Sequence, residues 1–163
     1  MKRFLVLLPL LALLSGCGSN SNRRVELNEN TGQLLPVSAL AMDTHKRGYT
    51  MTVESIRQDS LNGDAAPAYF TVEGETFDEL LASRLYLSHA QAVVVSPSIA
   101  QNALPALVDC LLGRPDARLT LRIAVARGAA PDEVLRADAV VEGIPGVALA
   151  ALLDQRAADG SMD

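Results

Sequence analysis

Hydrophobic and polar positions alternate early in the folded region in a way that predicts a β-hairpin. Residues 34–42 are mostly apolar and end at a polar turn over 43–48, after which large apolar side chains alternate with polar ones along 49–56. A stretch rich in turn-forming residues, 59–67, precedes a shorter apolar segment at 68–74. These patterns predict a hairpin followed by a third, short strand.

After residue 74, the spacing of apolar residues changes to a pattern typical of helices that alternate with strands. Thr76 and Glu79 have the spacing of a capping box, which predicts that a helix opens near Thr76. The second half of segment 85–96 is a continuous apolar, β-branched run that ends at Ser96, which is typical of a strand buried on both faces. We expect this strand to form the centre of the core.

Pro97 can start the next helix, which residues 113–115 would end. The apolar stripe predicted for this helix consists of Ile99, Leu104, Leu107, Val108, Leu111 and Leu112. Residues 119–126 alternate again and predict a second central strand, closed by a turn at 127–128.

The last third of the chain predicts a short helix over 132–137 and an amphipathic helix over 145–156. Two meander strands followed by alternating strands and helices favour an α+β domain with α/β character, in which helices pack on one mixed β-sheet.

The amino terminus has the order of a bacterial lipoprotein signal. Lys2 and Arg3 precede an apolar run over 4–14, which is too short to span a bilayer as a helix, and Leu14, Ser15, Gly16 and Cys17 follow as a lipobox. Leu14, Ser15 and Gly16 are therefore the predicted signal-peptidase recognition residues. Cys17 would carry a diacylglyceryl group and an N-acyl chain such as palmitate. An ordinary secretory signal with a chance cysteine is the alternative.

Charge and length limit what kind of protein the chain can be once the signal peptide has been cleaved. Without Lys2 and Arg3, 12 basic and 19 acidic residues leave a formal charge of −7, which argues against nucleic acid as a partner. We predict a signal peptide at 1–16, a polar tether at 17–31, one domain at 32–158 and a frayed tail at 159–163. Cys110 would be the one remaining thiol, and we interpret it as a small buried hydrophobe.

Catalytic and metal-binding motifs are missing from the sequence. It has no Gly-x-Ser-x-Gly elbow, no His-Glu-x-x-His and no phosphate loop, and too few cysteines and histidines for a structural zinc site, so we expect no enzyme, cofactor or metal. Ser88 and His89 are neighbours that would point to opposite faces of a strand, so His89 is interpreted as a packing or hydrogen-bonding residue. His45 lies in a charged turn and is expected to be solvated. Tyr86 could line a ligand groove, although the core is favoured for it.

Basic residues give two candidate contact sites. Arg23 and Arg24 follow the lipid cysteine closely, where each could add about 1 kcal/mol of attraction to an anionic membrane. Arg114 and Arg118 flank a proline turn and could meet an acidic partner loop or a lipid phosphate, although a solvated turn is the simpler interpretation.

Three motifs, taken in order behind the lipobox, resemble the Ger(x)C family, the C subunits of spore germinant receptors. They are Thr-Phe-Asp-Glu-Leu-Leu, Leu-Tyr-Leu-Ser-His-Ala-Gln-Ala-Val-Val-Val-Ser, and the stretch from Leu-Val-Asp-Cys-Leu-Leu-Gly-Arg-Pro-Asp to Ala-Arg-Gly. The resemblance runs from about residue 14 to 155, and its most specific pieces are 84–89, 111–118 and 125–128.

The resemblance implies a non-enzymatic lipoprotein on the outer face of the spore inner membrane, acting with two membrane-embedded subunits of the A and B types in nutrient-triggered germination. The chain departs from the family at Gly18, where a tryptophan is usual, and in length, since family members continue into further domains. An alternative is a surface solute-binding or envelope structural lipoprotein unrelated to germination, with a ligand cleft beside the strand at 93–96.

Overall fold

One mixed β-sheet organises the part of the chain that can be described. A computed structural model describes residues 35–58, 65–82, 84–137 and 143–160. The strands are β1 (Leu35–His45), β2 (Gly48–Gln58), β3 (Ala65–Gly74), β4 (Leu85–Tyr86), β5 (Ala92–Val95) and β6 (Arg122–Val125). Their order is β3-β2-β1-β5-β6, with β4 paired to the start of β1. β2 and β3 run antiparallel to their neighbours, whereas β4, β5 and β6 pair in parallel.

Helices cover both faces of this sheet, so the fold is the predicted α+β arrangement. The helices are α1 (Phe77–Leu81), α2 (Pro97–Asn102), α3 (Leu104–Leu112), α4 (Pro131–Arg136) and α5 (Pro145–Ala158), with a 3₁₀ turn at Leu87–His89. One core cluster packs α1, α2 and α3 against the sheet, and the other packs α4 and α5 against its opposite face.

Several sequence predictions concern residues outside the described ranges. The signal peptide at 1–16, the lipobox with Cys17, the tether with Arg23 and Arg24, and residues 161–163 of the tail are among them. They stay predictions.

The predicted hairpin is confirmed, with a tighter turn than the polar residues indicated. β1 and β2 pair until His45 faces Gly48, which leaves only Lys46 and Arg47 in the turn. Lys46 has a φ of 45°, a left-handed conformation that is usual in two-residue hairpin turns. The strands therefore continue into the stretch that was predicted to be the turn.

The third strand and the first helix also lie where the sequence predicted them. Pro67 lies within β3, which is an edge strand among the described residues. Proline is tolerated in edge strands because its missing N–H breaks no hydrogen bond inside the sheet. At the start of α1, the Thr76 hydroxyl accepts a hydrogen bond from the Glu79 amide, and the Glu79 carboxylate accepts one from the Glu75 amide. The Thr76 half of the predicted capping box is thus formed, whereas the Glu79 carboxylate binds the amide one residue before the N-cap instead of the Thr76 amide.

β5 is the central strand that its β-branched composition predicted. All four of its residues are buried, and they alternate between the two core clusters. The face of the sheet that packs against α1–α3 contains large side chains such as Leu40 and Met42 of β1. The face that packs against α4 and α5 contains small ones, Ala39 and Ala41 of β1 and Ala92 of β5. The small side chains on this face of the sheet allow α4 and α5 to approach it closely.

The single helix expected after Pro97 is in fact two. The backbone breaks at Ala103, which has φ −137° and ψ 0° and caps both helices, and Pro105 lies in the first turn of α3. The change of direction alters which residues are buried. Ile99, Leu107 and Leu111 reach the core as predicted, but Leu112 is 59% exposed.

The prediction of a second central strand over 119–126 is wrong in two respects. β6 covers only Arg122–Val125, and Leu119 before it is 87% exposed. β6 is also an edge strand, because β5 is its only neighbour among the described residues. Ile123 and Val125 are consequently about 40% exposed. Gly128 makes the predicted turn after β6 with a φ of 82°.

The two carboxyl-terminal helices lie where the sequence predicted them. α4 begins at Pro131, and the Glu133 carboxylate accepts a hydrogen bond from the Ala130 amide in its first turn. α5 is joined to the sheet edge by Arg122 of β6, whose guanidinium binds both carboxylate oxygens of Asp154 at 2.6 Å.

A buried carboxylate joins β1, β2, β3 and α5. Glu54 of β2 is completely buried and accepts hydrogen bonds from the Ser38 hydroxyl at 2.7 Å, the Tyr69 hydroxyl at 3.0 Å and the Gly146 amide at 3.0 Å. Ser38 lies at a register shift in β1, where a β-bulge re-aims its side chain. Pro145 has no N–H, so Gly146 supplies the first amide at the positive end of α5.

Gly146 is the residue that lets α5 reach this carboxylate. A Cβ atom at position 146 would lie 2.3 Å from the Ala39 Cβ and 2.5 Å from Glu54 Oε1. Both distances are too short for non-bonded atoms, so any side chain at Gly146 would push α5 away from the sheet.

Gly146→Ala is therefore expected to destabilise the protein by about 1–3 kcal/mol, the usual cost of overpacking. Helix propensity alone predicts the opposite sign, because alanine is favoured over glycine within helices by about 1 kcal/mol. Chemical unfolding of the purified chain measures the difference in the free energy of unfolding. Ala151→Gly, on the exposed side of the same helix, is the control for propensity. A stabilised Gly146→Ala variant would contradict the close packing described here.

Candidate functional site

A surface groove of about 590 Å³ lies between the 3₁₀ turn and the turn that follows α3. We call it the Tyr86 groove. Its lining residues are Tyr86, Ser88, His89, Pro115, Asp116, Ala117 and Arg118. Its volume is within the range of small-ligand pockets, and it is shallow and largely open to solvent.

One wall of the groove is set by alternating burial along 85–90. Leu85, Leu87 and Ala90 are buried in the core, and Leu85 also pairs with the start of β1. Because these residues point inward, Tyr86 and His89 are left on the surface. Their rings meet edge to face with centroids 5.8 Å apart. This wall is therefore aromatic and anchored from below by three core residues.

The other wall is held by an ion pair that is built into the fold. Arg114 binds both carboxylate oxygens of Asp116 at 2.9 Å, and its guanidinium also donates to the carbonyl groups of Leu81 and Leu85. The Asp116 carboxylate in turn accepts a hydrogen bond from the Leu87 amide at 2.9 Å. Planar, bidentate pairs of this kind combine strength with fixed geometry. The turn after α3 is thus fastened to both α1 and the 3₁₀ turn.

These hydrogen bonds also fix the charge of the groove wall. The hydrogen bond from Arg114 holds the pKa of Asp116 below its ordinary value, against the opposing effect of burial, and the Leu87 amide acts in the same direction as Arg114. Asp116 is therefore ionised at neutral pH, and its charge is neutralised by Arg114.

The two arginines that the sequence nominated together have different environments. Arg114 is largely buried and uses its donors within the domain. Arg118 is exposed on the groove, and within the described ranges its guanidinium makes no hydrogen bond or ion pair. The prediction of partner contact stays untested for both residues, but only Arg118 has a free guanidinium to offer.

Tyr86 and His89 differ from what their sequence context favoured. Tyr86 is 37% exposed and lines the groove, so the preference for a core position was wrong. Ser88 and His89 lie in a 3₁₀ turn rather than on a strand, so the argument from opposite strand faces does not hold for them. His89 packs against Tyr86, as expected for a packing residue.

The other singled-out residues lie away from this groove. His45 is only partly solvated, with Nε2 3.5 Å from the Glu73 carboxylate. The cleft suggested beside 93–96 is occupied by core, because Val93, Val94 and Val95 are fully buried and the Ser96 hydroxyl caps α2. The solute-binding alternative therefore loses its proposed site.

Two searches of the described residues gave negative results. No group of three or more His, Cys, Asp or Glu side chains among them is placed to hold a metal ion. None of the helices in the same ranges is long and apolar enough to cross a membrane.

The chain matches the family model of the spore germination protein N-terminal domain over residues 30–162. The chain belongs to this family. The match covers most of the sequence and includes every strand and helix described above. The family resemblance inferred from the sequence motifs is thereby confirmed, and with it a role in spore germination.

Other comparisons add little to the description of this germination domain. No curated protein matches it. Among solved structures, it is similar to a chain in the cryo-EM structure of a simian T-cell lymphotropic virus intasome in complex with PP2A regulatory subunit B56 gamma. The identity is 15% and the TM-score 0.28, over 72% of this chain and 48% of that chain. A likeness this weak carries no argument.

The groove of the germination domain is formed by two of the three sequence pieces that carried the resemblance most specifically. Residues 84–89 contribute the aromatic wall, and residues 111–118 contribute the wall held by Arg114 and Asp116. Sequence order gave no sign that these pieces meet in space. They are joined by the hydrogen bond from the Leu87 backbone amide to the Asp116 carboxylate.

Asp116→Asn is expected to destabilise the domain by about 1–3 kcal/mol at neutral pH, since Arg114 would keep a buried charge without its partner. The ordinary pKa of aspartate is about 3.9, and the folded value is lower. The contribution of Asp116 is therefore complete above about pH 4 and is lost as the pH falls through the folded pKa. Unfolding free energies of both proteins, measured across this range, should converge in acid. Asp132→Asn, at a half-exposed position, is the control and should cost about 0.2–0.5 kcal/mol. A constant difference between wild type and Asp116→Asn at all pH values would contradict this assignment.

The Cys110 thiol of α3 is expected to react slowly. Burial raises its pKa first, followed by a hydrogen bond to Asp78 and the negative charges of Asp78 and Asp109, so little thiolate forms near neutral pH. Alkylation by iodoacetamide at pH 8, followed by mass spectrometry of the Cys110 peptide, should be several-fold slower in the folded than in the denatured chain. Asp78→Asn should accelerate it, whereas Glu133→Gln on α4 should not. Equal rates in the folded and denatured chains would contradict the described environment.

Proposed function

We propose that this germination domain is part of a lipid-anchored, non-enzymatic component of a spore germinant receptor, which contacts membrane-embedded receptor subunits. The observation that carries the proposal is the family match over residues 30–162. The lipobox ending at Cys17 adds the means of attachment to the membrane, on the outer face of the spore inner membrane.

Contact rather than turnover is the proposed mechanism. A signal that passes between subunits requires a rigid surface whose position depends on the state of its neighbour. The ion pair of Arg114 and Asp116 gives the Tyr86 groove such rigidity, because it fastens the turn after α3 to the backbone at Leu85 and Leu87. The edge position of β6 leaves further surface open to neighbouring proteins.

The non-enzymatic part of the proposal draws on the chemistry of the groove. A nucleophile needs a base within about 3 Å that a third group orients. Ser88 and His89 are consecutive in a 3₁₀ turn, and His89 is held by ring packing against Tyr86 rather than by a carboxylate. The Asp116 carboxylate is occupied by Arg114 and the Leu87 amide. This set of groups suits recognition.

Cys17→Ala is expected to release the protein from membranes and leave the domain folded, because the lipid at Cys17 would supply the anchor while the described core begins after it. Membrane and soluble fractions of sporulating cells, probed for a carboxyl-terminal tag, measure the distribution. Ser19→Ala is the matched control in the tether and should stay with the membrane. Normal membrane attachment of the Cys17→Ala protein would contradict lipidation.

Partner identity is tested by affinity purification of the tagged, wild-type chain from detergent-solubilised membranes of sporulating cells, with mass spectrometry of the co-purified proteins. We expect two multi-spanning receptor subunits. A tagged lipoprotein with an unrelated domain is the control for adhesion to the resin. Recovery of an abundant, folded protein with no receptor subunit would contradict membership in a germinant receptor.

A further inference from the structure

We propose that the Tyr86 groove binds an acidic segment of a partner receptor subunit, with the Arg118 guanidinium holding a carboxylate of that segment. Tyr86 and Pro115 would pack against the atoms on either side of the carboxylate. The inference rests on the proposed function, because it names the surface through which the domain would bind its partner subunit and the chemical group that this surface would bind.

The charge of the groove points to an anionic occupant. Its one carboxylate, Asp116, is already neutralised by two hydrogen bonds from Arg114 and one from the Leu87 amide. Arg118 follows Asp116 by two residues in the same wall and has no side-chain partner in the described part of the chain, where the His89 ring nitrogens make no hydrogen bond either. A single guanidinium beside a neutralised carboxylate leaves a net positive site.

The groove is also built before any ligand arrives. Arg114 and Asp116 hold one wall, and the buried side chains of Leu85 and Leu87 hold the other. Binding therefore costs little ordering of the protein, which is the condition under which a small contact gives useful affinity. Tyrosine and arginine are the residue types that most often dominate the energetics of protein interfaces, and the groove places one of each on the surface.

A protein segment fits this site better than an anionic bilayer does. Attraction to membranes by charge relies on clusters of about 4–8 basic residues. The groove offers one free guanidinium among its lining residues, far fewer than such a cluster. A single carboxylate can instead form the planar, two-hydrogen-bond pair that arginine favours, with aromatic and proline surfaces excluding water around it.

A photo-crosslinking amino acid tests the proposal in the full-length chain in sporulating cells. Replacing Tyr86 with p-benzoylphenylalanine keeps an aromatic ring in the groove, and mass spectrometry identifies what it captures after irradiation. Leu152 is the control position, since it is exposed on α5, on the opposite side of the sheet. We expect crosslinks from position 86, and not from 152, to a receptor subunit within a few residues of an Asp or Glu.

Reversing the charge of Arg118 is the second part of the crosslinking experiment. Arg118→Glu should lower the crosslink yield by about tenfold or more, the effect of losing a charged hydrogen-bonded pair. Arg127→Glu, which reverses an exposed charge outside the groove, should leave the yield unchanged. Changing the captured acidic residue to Arg should restore crosslinking with Arg118→Glu, a rescue that a merely structural role of Arg118 would not produce.

The outcomes separate this inference from the proposed function. If receptor subunits co-purify with the wild-type chain but position 86 captures none of them, or captures phospholipid, the groove proposal is overturned and the receptor assignment stands. Unchanged crosslinking of Arg118→Glu overturns the role of Arg118. If no receptor subunit co-purifies with the wild-type chain, both proposals fall together.

Discussion

The buried carboxylate of Glu54 is the interaction on which the arrangement of sheet and helices depends. A carboxylate removed from water costs several kcal/mol unless donors surround it. Here the donors come from Ser38, Tyr69 and Gly146, three residues that are far apart in sequence. Since all three must be in place at once, the bulge in β1, the pairing of β3 and the docking of α5 are one coupled structural feature.

The Tyr86 groove uses the same physical device nearer the surface. Arg114 and Asp116 satisfy each other and the backbone at Leu81, Leu85 and Leu87, so two loops become one rigid surface. The pairing also uses up the charge of both side chains. What remains available to a neighbouring molecule is an aromatic wall and the guanidinium of Arg118, which is a surface suited to recognition in a domain of the spore germination family.

Local signals predicted much of this fold, whereas the groove depended on contacts that no local pattern encodes. The Thr76 N-cap and the β-branched run of β5 act within a few residues, and both were found from the sequence. Alternation placed Glu54 on one face of β2, but α5, which covers that face, begins 91 residues later. Alternation also cannot distinguish an edge strand from a central one, which is why β6 was misjudged. Arg114 and Arg118 look equivalent on either side of one proline, and only the fold shows that Arg114 is paired with Asp116 and with the backbone of Leu85.

The proposed role of this domain is to act in a receptor for nutrients. It is tested most directly by deleting the gene in a strain whose other nutrient receptors have been removed, and following the fall in optical density of purified spores after nutrients are added. We predict that deletion abolishes the response to nutrients and that the restored gene recovers it, while germination triggered by a cationic surfactant such as dodecylamine continues in both strains. An unchanged nutrient response in the deleted strain would contradict the claim.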